Sequence, residues 1–494
     1  MDPLLHELKV YSKLKFPKEF LFGFSESGFQ FEMGYPGDED PNSDWWYWVH
    51  SIDNIASGIV SGHFPENGPG YFKLYKQDHD LAEKLGADVL RLGVEWSRLF
   101  PKPTKDVPVT VERDDAGVIS SIEIKESALK ELLARVNKNA VEKYRSIFKD
   151  WVDRGRKLIV NLNHFTLPIW IHNPLEARVR GVFNAPSGWL SEETVVEFTK
   201  YAYVAAYLFD EYVDYWSTMN EPNVVGVAGY LMVKSGFPPG IPSIEFTLLA
   251  LRNQVIAHAR AYDAIKQVSK KPVGVIMNFI WFEPLKPGSE DEEAAVNEAS
   301  YMYNLSFVDS ITSGSSSVVS SSSLRNKVDW IGVNYYTRMV VTRRMNTLTG
   351  WEPVFGYGSL CTPSGVSNAG RPCSEFGWEL YPEGLERLLV LLYERYKLPL
   401  LVTENGVADA HDALRPRYIV QHLESVVKAI QKGADVRGYL HWALIDNYEW
   451  AMGYKMKFGL IRVDFESKKR FIRPSALVYR EIATNKELPD ELIF

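Results

Sequence analysis

The sequence has few cysteines and no long apolar run. Its only two cysteines, Cys361 and Cys373, exclude a disulfide-scaffolded secreted domain and a four-cysteine zinc site. No window of about 20 apolar residues occurs, so the sequence predicts no membrane span and no membrane partner. The segment Met1 to Lys15 alternates charged and apolar residues and lacks the apolar core of a signal peptide. These absences predict a cytoplasmic protein.

An excess of basic charge is also missing. The chain carries 55 Lys and Arg residues against 63 Asp and Glu residues, which gives a net charge of −8 over 494 residues. A weakly acidic surface does not attract nucleic-acid phosphates, so we expect no nucleic-acid partner. Hydrophobic residues make up 46% and charged residues 24%, which is ordinary for a globular chain and argues against disorder or a coiled coil.

No Pro-, Gly- or Ser-rich linker divides the chain into halves. Eight short apolar runs alternate with amphipathic segments, as expected of βα units around a parallel sheet. The predicted strands are Leu21–Ser25, Val89–Glu95, Leu158–Asn163, Tyr215–Asn220, Val273–Phe279, Trp330–Asn334, Leu398–Glu404 and Gly438–Leu444. The predicted helices are Tyr71–Leu85, Leu129–Arg154, Glu192–Glu211, Phe246–Val268, Asp291–Ile311, Pro382–Tyr396 and Tyr418–Lys432. This pattern predicts an α/β fold: residues 1–494 form one (β/α)8 TIM barrel with long inserted βα loops.

The Ser-rich segment and the two cysteines are interpreted separately from the strands and helices. Ser313–Ser323 contains eight serines and is interpreted as a flexible surface connection before the sixth strand. Cys361 and Cys373 are interpreted as free thiols in a loop, with a disulfide as the alternative if the source is a hyperthermophile.

Reactive side chains follow several of the predicted strands. His164 comes after the third strand, Glu221 after the fourth, and Glu404 ends the seventh. Barrel enzymes place their chemistry at the carboxyl ends of the strands, where the loops converge. A barrel-lining ion pair is the alternative interpretation of the two carboxylates.

Paired carboxylates suit glycoside hydrolysis. One carboxyl must donate a proton to the leaving oxygen while the other, ionised, meets the developing positive charge at the anomeric carbon. The two environments must therefore push the pKa values of Glu221 and Glu404 apart. Arg91 is the candidate cation that keeps one carboxylate charged. Pro222 predicts an extended backbone at Glu221.

Six motifs, in order along the whole chain, resemble those of glycoside hydrolase family 1, and most of all its archaeal, thermophilic branch. They are FGFSESGFQFE at 22–32, RLGVEWSR at 91–98, TMNEPN at 218–223, NYY at 334–336, TENG at 403–406 and DNYEW at 446–450. The resemblance implies a retaining β-glucosidase or β-galactosidase that cleaves terminal sugars through a covalent intermediate and also transglycosylates. It implies Glu404 as nucleophile and Glu221 as acid/base.

The resemblance implies roles for the surrounding residues as well. Arg91 and Tyr336 resemble the family residues that bond the nucleophile, and Asn220 the one that holds the sugar 2-hydroxyl. The residues that resemble the remaining sugar ligands are Gln30, His164, Trp442, Glu449 and Trp450. Each of these alone has a structural interpretation as a core or loop residue.

The type of residue at three positions bears on the substrate. Family members that act on 6-phosphorylated sugars carry Ser, Lys and Tyr where this chain has Glu449, Met456 and Phe458. A carboxylate would repel a phosphate, so we expect unphosphorylated glycosides. No cofactor and no catalytic metal is expected, and a homotetramer is expected only by analogy to the family. An endo-glucanase with an open cleft and a non-enzymatic sugar-binding protein are the alternatives.

Overall fold

The computed structural model describes residues 14–489, so most of the Met1 to Lys15 segment and the last five residues of the predicted domain lie outside the described residues. Its centre is a sheet of eight parallel strands, named β1 to β8 here. The strands are β1 Leu21–Ser25, β2 Val89–Gly93, β3 Lys157–Asn161, β4 Tyr215–Asn220, β5 Val273–Pro284, β6 Trp330–Arg343, β7 Leu400–Glu404 and β8 Val436–His441. Each strand pairs with the next, and β8 pairs with β1, so the sheet closes into a ring.

All eight predicted strands are present, and two of them, β1 and β4, have the predicted bounds. Strands β5 and β6 run farther than predicted. They continue to pair beyond the ring, from Trp281 with Arg338 to Pro284 with Val341, and β6 also pairs antiparallel with Trp351–Pro353. The prediction ended these strands at Phe279 and Asn334, whereas their pairing continues as a ribbon beyond the ring.

Helices surround the ring and pack on its outer face. Those of eight or more residues are Tyr71–Lys84, Glu126–Arg135, Lys138–Val152, Glu192–Phe209, Pro222–Tyr230, Ile244–Val268, Glu290–Ser300, Ser306–Ser313, Pro382–Tyr396, Arg415–Gln431 and Pro474–Asn485. Shorter helices are Gly28–Phe31, Asp44–His50, Ile52–Ala56, Trp96–Leu99 and Pro174–Arg180. Two short antiparallel ribbons pair Thr110–Arg113 with Ile119–Glu123 and Ile461–Val463 with Arg470–Ile472.

The helix prediction needs three corrections. The predicted helix Leu129–Arg154 is two helices. The backbone turns extended at Val136, after the first helix ends at Arg135, and Asn137 caps the second by accepting from the backbone N–H groups of residues 139 and 140. The predicted helix Asp291–Ile311 contains a π-helical turn at Tyr301–Leu305. The helices Pro222–Tyr230, which follows β4, and Pro474–Asn485, which follows β8, were not predicted.

Both faces of the ring are buried, as expected for parallel strands. Six strands contribute one residue each to a separate interior cluster, while their alternate residues join the main core beneath the helices. The interior residues are Val89, Ile159, Ile276, Trp330, Leu401 and Leu440. The ring is therefore filled, and its functional surface lies at the strand ends.

The structure bears on both the Ser-rich segment and the cysteines. Ser313–Ser323 connects to β6 and is largely at the surface, with some contacts to the rest of the protein: Ser310 and Ser316 share a hydrogen bond, Ser321 donates to Asp114, and Val319 joins the core. Its flexibility stays a prediction. Cys361 and Cys373 are joined by a disulfide bond, which corrects the interpretation as free thiols.

Within residues 14–489, no helix is long and apolar enough to cross a membrane.

Candidate active site

The two predicted acids lie at the carboxyl ends of strands. Glu404 is the last residue of β7, and Glu221 directly follows β4. Both lie beside an irregularity in strand pairing: the β4–β5 register shifts before Asn220, and the β6–β7 register shifts before Glu404. Such irregularities redirect side chains, and here they accompany the turn of two carboxyl groups toward one end of the ring.

Glu404 is buried and held by two donors. Arg91 Nη1 lies 2.5 Å from Glu404 Oε1, and Tyr336 Oη donates to Oε2 at 2.7 Å. Burial, and then the charge of Glu404, raise the pKa of the Tyr336 phenol, so this hydroxyl stays protonated and donates. Arg91 is fully buried, and its contact with Glu404 is a charge-assisted hydrogen bond.

The backbone of Glu221 departs from expectation. Its φ of 48° and ψ of 54° place it in the left-handed region, not in the extended region that Pro222 predicts. This conformation costs about 1–3 kcal/mol for a residue other than glycine. The Glu221 N–H donates to the carbonyl of Ile276 at 2.7 Å, and Pro222 starts the helix Pro222–Tyr230. These contacts hold the side chain over the end of the ring.

Two asparagines contact the carboxyl of Glu221. Nδ2 of Asn278, on β5, and Nδ2 of Asn334, on β6, each donate to Glu221 Oε1 at 2.9 Å. Neither asparagine was predicted from the sequence to have a role in the site. Asn278 interrupts the apolar run of β5 close to its predicted end, and this polar residue is the signal that could have revealed it.

Burial, followed by the negative charge of Glu404, raises the pKa of Glu221 to about 8. Hydrogen bonds from the side-chain amides of Asn278 and Asn334 lower the pKa of Glu221, as does the positive charge of Arg91, and these contacts oppose the rise. Glu221 therefore holds a proton at neutral pH, which is the state that a general acid requires.

A chain of hydrogen bonds connects the two carboxyl groups. Arg91, which contacts Glu404, also donates from Nη2 to Asn220 Oδ1 at 2.7 Å. Asn334 Nδ2 donates to the same Asn220 oxygen at 3.0 Å as well as to Glu221. The two acids therefore belong to one connected site.

Polar side chains continue the site around the ring. Gln30 Nε2 donates to the Tyr448 carbonyl at 2.9 Å and to Glu449 Oε2 at 3.3 Å. Burial, and then the charges of Glu404 and Glu221, raise the pKa of Glu449 to about 8. This amide and carboxyl offer both donors and acceptors to a polyhydroxylated ligand.

His164 lies between two tryptophans. Its ring centroid is 5.9 Å from that of Trp442 and 5.9 Å from that of Trp450, with interplanar angles of 24° and 22°. Burial, and then the cation of Arg91, lower the pKa of His164 far below its usual value. His164 is therefore neutral, and because the guanidinium of Arg91 can only donate, His164 Nδ1 is the acceptor of the 3.1 Å contact between them.

Of the ten predicted site residues, eight are connected through direct contacts and short bridges, and the other two, Gln30 and Glu449, contact each other, with Glu449 directly before Trp450 in the chain. The ten are Gln30, Arg91, His164, Asn220, Glu221, Tyr336, Glu404, Trp442, Glu449 and Trp450. Across residues 14–489, no group of three or more His, Cys, Asp or Glu side chains is arranged to hold a metal ion. The arrangement offers one charged carboxylate, one protonated carboxyl and a polar, aromatic lining.

Comparisons with known proteins identify the family of the chain. The sequence model described as Glycosyl hydrolase family 1 matches residues 12–110 and 132–488. The chain is 51% identical over 480 residues to the β-galactosidase of Saccharolobus solfataricus, covering 97% of this chain and 96% of that protein.

Solved structures of glycosidases are also similar to this chain. The β-glycosidase of the hyperthermophile Thermosphaera aggregans superposes with a TM-score of 0.93 at 55% identity, covering 97% of this chain and 98% of that one. A β-glucosidase mutant derived from a hyperthermophilic tetrameric structure matches with a TM-score of 0.90 at 54% identity, covering 97% of each chain.

Proposed function

Because this chain belongs to glycosyl hydrolase family 1 and is a β-glycosidase, we propose that it is a retaining, exo-acting enzyme. In this proposal it removes terminal non-reducing β-D-glucosyl or β-D-galactosyl residues from unphosphorylated glycosides. The observation that carries the proposal is the contrast between its two acids. Glu404 is paired with Arg91 and Tyr336, whereas Glu221 is held in its protonated form.

The proposal includes the architecture. The closed ring of eight parallel strands, together with the family membership, supports a (β/α)8 barrel. The family match and the continuous core support one catalytic domain over residues 1–494.

In the first step, Glu404 attacks the anomeric carbon while Glu221 protonates the glycosidic oxygen. A bond forms between the anomeric carbon and a Glu404 oxygen, and the bond to the leaving oxygen breaks, so the aglycone departs as a neutral alcohol. The hydrogen bonds from Arg91 and Tyr336 hold the attacking carboxylate in position.

The second step depends on a change of charge at Glu404. Glycosylation removes the negative charge of Glu404, which is one of the causes that raise the pKa of Glu221. Glu221 then accepts a proton from water as the water oxygen bonds to the anomeric carbon from the face that the aglycone left. The bond between the anomeric carbon and Glu404 breaks in the same step, which releases the sugar and restores the Glu404 carboxylate. Two inversions give net retention. An alcohol in place of water gives transglycosylation by the same route.

The lining supports binding of one terminal sugar. Gln30, His164, Asn220 and Glu449 offer donors and acceptors to the ring hydroxyls, and Trp442 and Trp450 offer flat faces to the C–H groups. A bond from Asn220 to the 2-hydroxyl that strengthens in the transition state would raise kcat. Both tryptophans are over nine-tenths buried, and this enclosure favours exo action over an open endo-acting cleft.

The same lining supports unphosphorylated substrates. Glu449 presents a carboxyl rather than a cation, and Phe458 is 2% exposed and packs against Tyr336 and Trp378. These residues offer no favourable charge to a phosphate. No step of the proposed reaction uses a cofactor.

Assembly as a homotetramer is also a proposal, supported by the similarity to a β-glucosidase whose parent structure is tetrameric. The cytoplasmic location stays a prediction from the sequence.

The test is the stereochemistry and pattern of hydrolysis. Proton NMR should show the β-anomer of glucose as the first product from an aryl β-glucoside, and a long β-glucan should release monosaccharide only. Initial formation of the α-anomer would contradict retention, and release of long oligosaccharides would support the endo-acting alternative.

A further inference from the structure

A π-helical turn lies beside the proposed acid/base residue. Tyr301–Leu305 forms this turn between the helices Glu290–Ser300 and Ser306–Ser313. Within it, Asn304 binds the backbone of Ile280 twice, donating to the carbonyl at 2.8 Å and accepting from the N–H at 3.1 Å. The turn is therefore attached to strand β5. Such turns occur frequently at functional sites, which prompts the question of what this one positions.

Tyr303 of the turn reaches Glu221 through one intermediate. Its hydroxyl donates to Asn278 Oδ1 at 2.8 Å, and Asn278 Nδ2 donates to Glu221 Oε1 at 2.9 Å. The side chain of Asn223 fixes the two backbones relative to each other, because its Nδ2 donates to the carbonyls of Asn278 at 2.7 Å and Tyr303 at 3.1 Å. The relay is thus held at both ends.

The hydrogen bond that the Tyr303 hydroxyl donates to Asn278 Oδ1 favours one orientation of the Asn278 amide. A terminal amide turned by 180° would present Oδ1, not Nδ2, to Glu221. Tyr303 favours the observed orientation because its O–H needs an acceptor. The second donor to Glu221, the amide of Asn334, is oriented in the same way by Thr403, whose hydroxyl donates to Asn334 Oδ1 at 2.7 Å.

This arrangement decides which oxygen of Glu221 carries the acid proton. Oε1 accepts from two amide groups and so is the unprotonated oxygen. Oε2 makes no hydrogen bond to protein within residues 14–489 and is left to hold the proton. If the Asn278 amide turned over, its oxygen would accept a hydrogen bond from a protonated Oε1. The proton would then lie on Oε1 and point away from the leaving group.

We propose that Tyr303 is a positioning residue which, through Asn278, keeps the acid proton of Glu221 on Oε2. The inference rests on the proposed acid/base role of Glu221. It predicts a loss confined to the proton-transfer part of the reaction, since Tyr303 touches neither of the two carboxyl groups in the hydrogen-bond network.

The test compares Tyr303→Phe with the unmodified enzyme on aryl β-glucosides of graded leaving-group pKa. We expect kcat/KM to fall about 10-fold for phenyl β-glucoside, which needs acid assistance, and less than about 2-fold for the 2,4-dinitrophenyl compound, which does not. The matched control is Tyr301→Phe. This hydroxyl, in the same turn, only accepts from the backbone N–H of Ser317 at 3.2 Å, and its loss should leave the series unchanged.

A double-variant cycle tests the route. If Tyr303 acts through Asn278, then adding Tyr303→Phe to Asn278→Ala should cause no further loss. Equal losses for all leaving groups, or multiplicative losses in the double variant, would overturn the inference.

Glu221→Ala in the same substrate series separates this inference from the proposed function. A steep dependence on the leaving group for Glu221→Ala, with a flat one for Tyr303→Phe, overturns only the role of Tyr303. A flat dependence for Glu221→Ala overturns the acid/base assignment itself.

Discussion

Replacing Glu404 with Gln should lower the pKa of Glu221 substantially. The buried Glu221 carboxyl has its pKa raised to about 8, with burial as the first cause and the charge of Glu404 as the second. Glutamine keeps the shape of the side chain and an oxygen for Arg91 but removes the charge. Arg91 then lacks its counter-ion, and its cation favours the ionised form of Glu221 in the same direction.

The size of the effect follows from Coulomb's law. Retaining glycosidases hold their two carboxyls about 5.5 Å apart, and at an effective dielectric constant of about 20 two unit charges at that distance interact by about 3 kcal/mol. Since 1.36 kcal/mol corresponds to about one pH unit, the midpoint of Glu221 should move about two pH units toward acid. Burial remains, so the pKa of Glu221 should stay above that of an exposed glutamate.

The assay is a carbon NMR titration with glutamate labelled at the side-chain carboxyl. The Glu221 signal is assigned as the one that Glu221→Gln removes. Asn278→Ala supplies the control of opposite sign, because it deletes a bond to the ionised form and should raise the midpoint. A midpoint unchanged or raised in Glu404→Gln would refute the electrostatic coupling on which the proposed switch from acid to base depends.

Three further predictions concern other residues. Tyr336→Phe removes a 2.7 Å hydrogen bond to Glu404 and should lower kcat/KM for an aryl β-glucoside about 10- to 100-fold. The circular dichroism spectrum should stay unchanged. An undiminished kcat/KM would contradict the role of Tyr336 in holding Glu404. Between pH 5 and pH 8 the free energy of unfolding, measured by urea titration, should fall less in Glu95→Gln than in the unmodified protein. Burial raises the pKa of Glu95 from 4.5 to about 8, so its stabilising contribution is complete below the unfolded pKa and is lost as the pH rises; an identical pH dependence would contradict this. Thiol titration in denaturant should detect no free thiol before reduction and two after it, and two reactive thiols before reduction would disprove the Cys361–Cys373 disulfide.

The sequence was most informative about the ring. Its strands are buried on both faces, so each appears as a short apolar run, and all eight runs form strands. The family assignment and the conclusion that the chain is a glycoside hydrolase are confirmed. The helix boundary at Val136 and Asn137 was missed because the residues on both sides share helical periodicity, and only two extended residues, the second of them the cap, separate the two helices.

The site was predictable to the extent that strand ends expose it. The positions of Glu221 and Glu404 at two strand ends follow from the apolar runs that precede them. The left-handed backbone of Glu221 did not follow, because the local preference that Pro222 imposes is overridden by the contact with Ile276 and by the helix that starts at Pro222. The relay from Tyr303 to Asn278 depends on a π-helical turn, and helical periodicity alone does not reveal such a turn.

The most direct test of the central claim is to identify the residue that carries the sugar in the covalent intermediate. A 2-deoxy-2-fluoro-β-glucoside with a good leaving group should inactivate the enzyme, and mass spectrometry of a protease digest should place the fluorosugar on Glu404. A fluorosugar found on Glu221 or on any other residue would contradict the account.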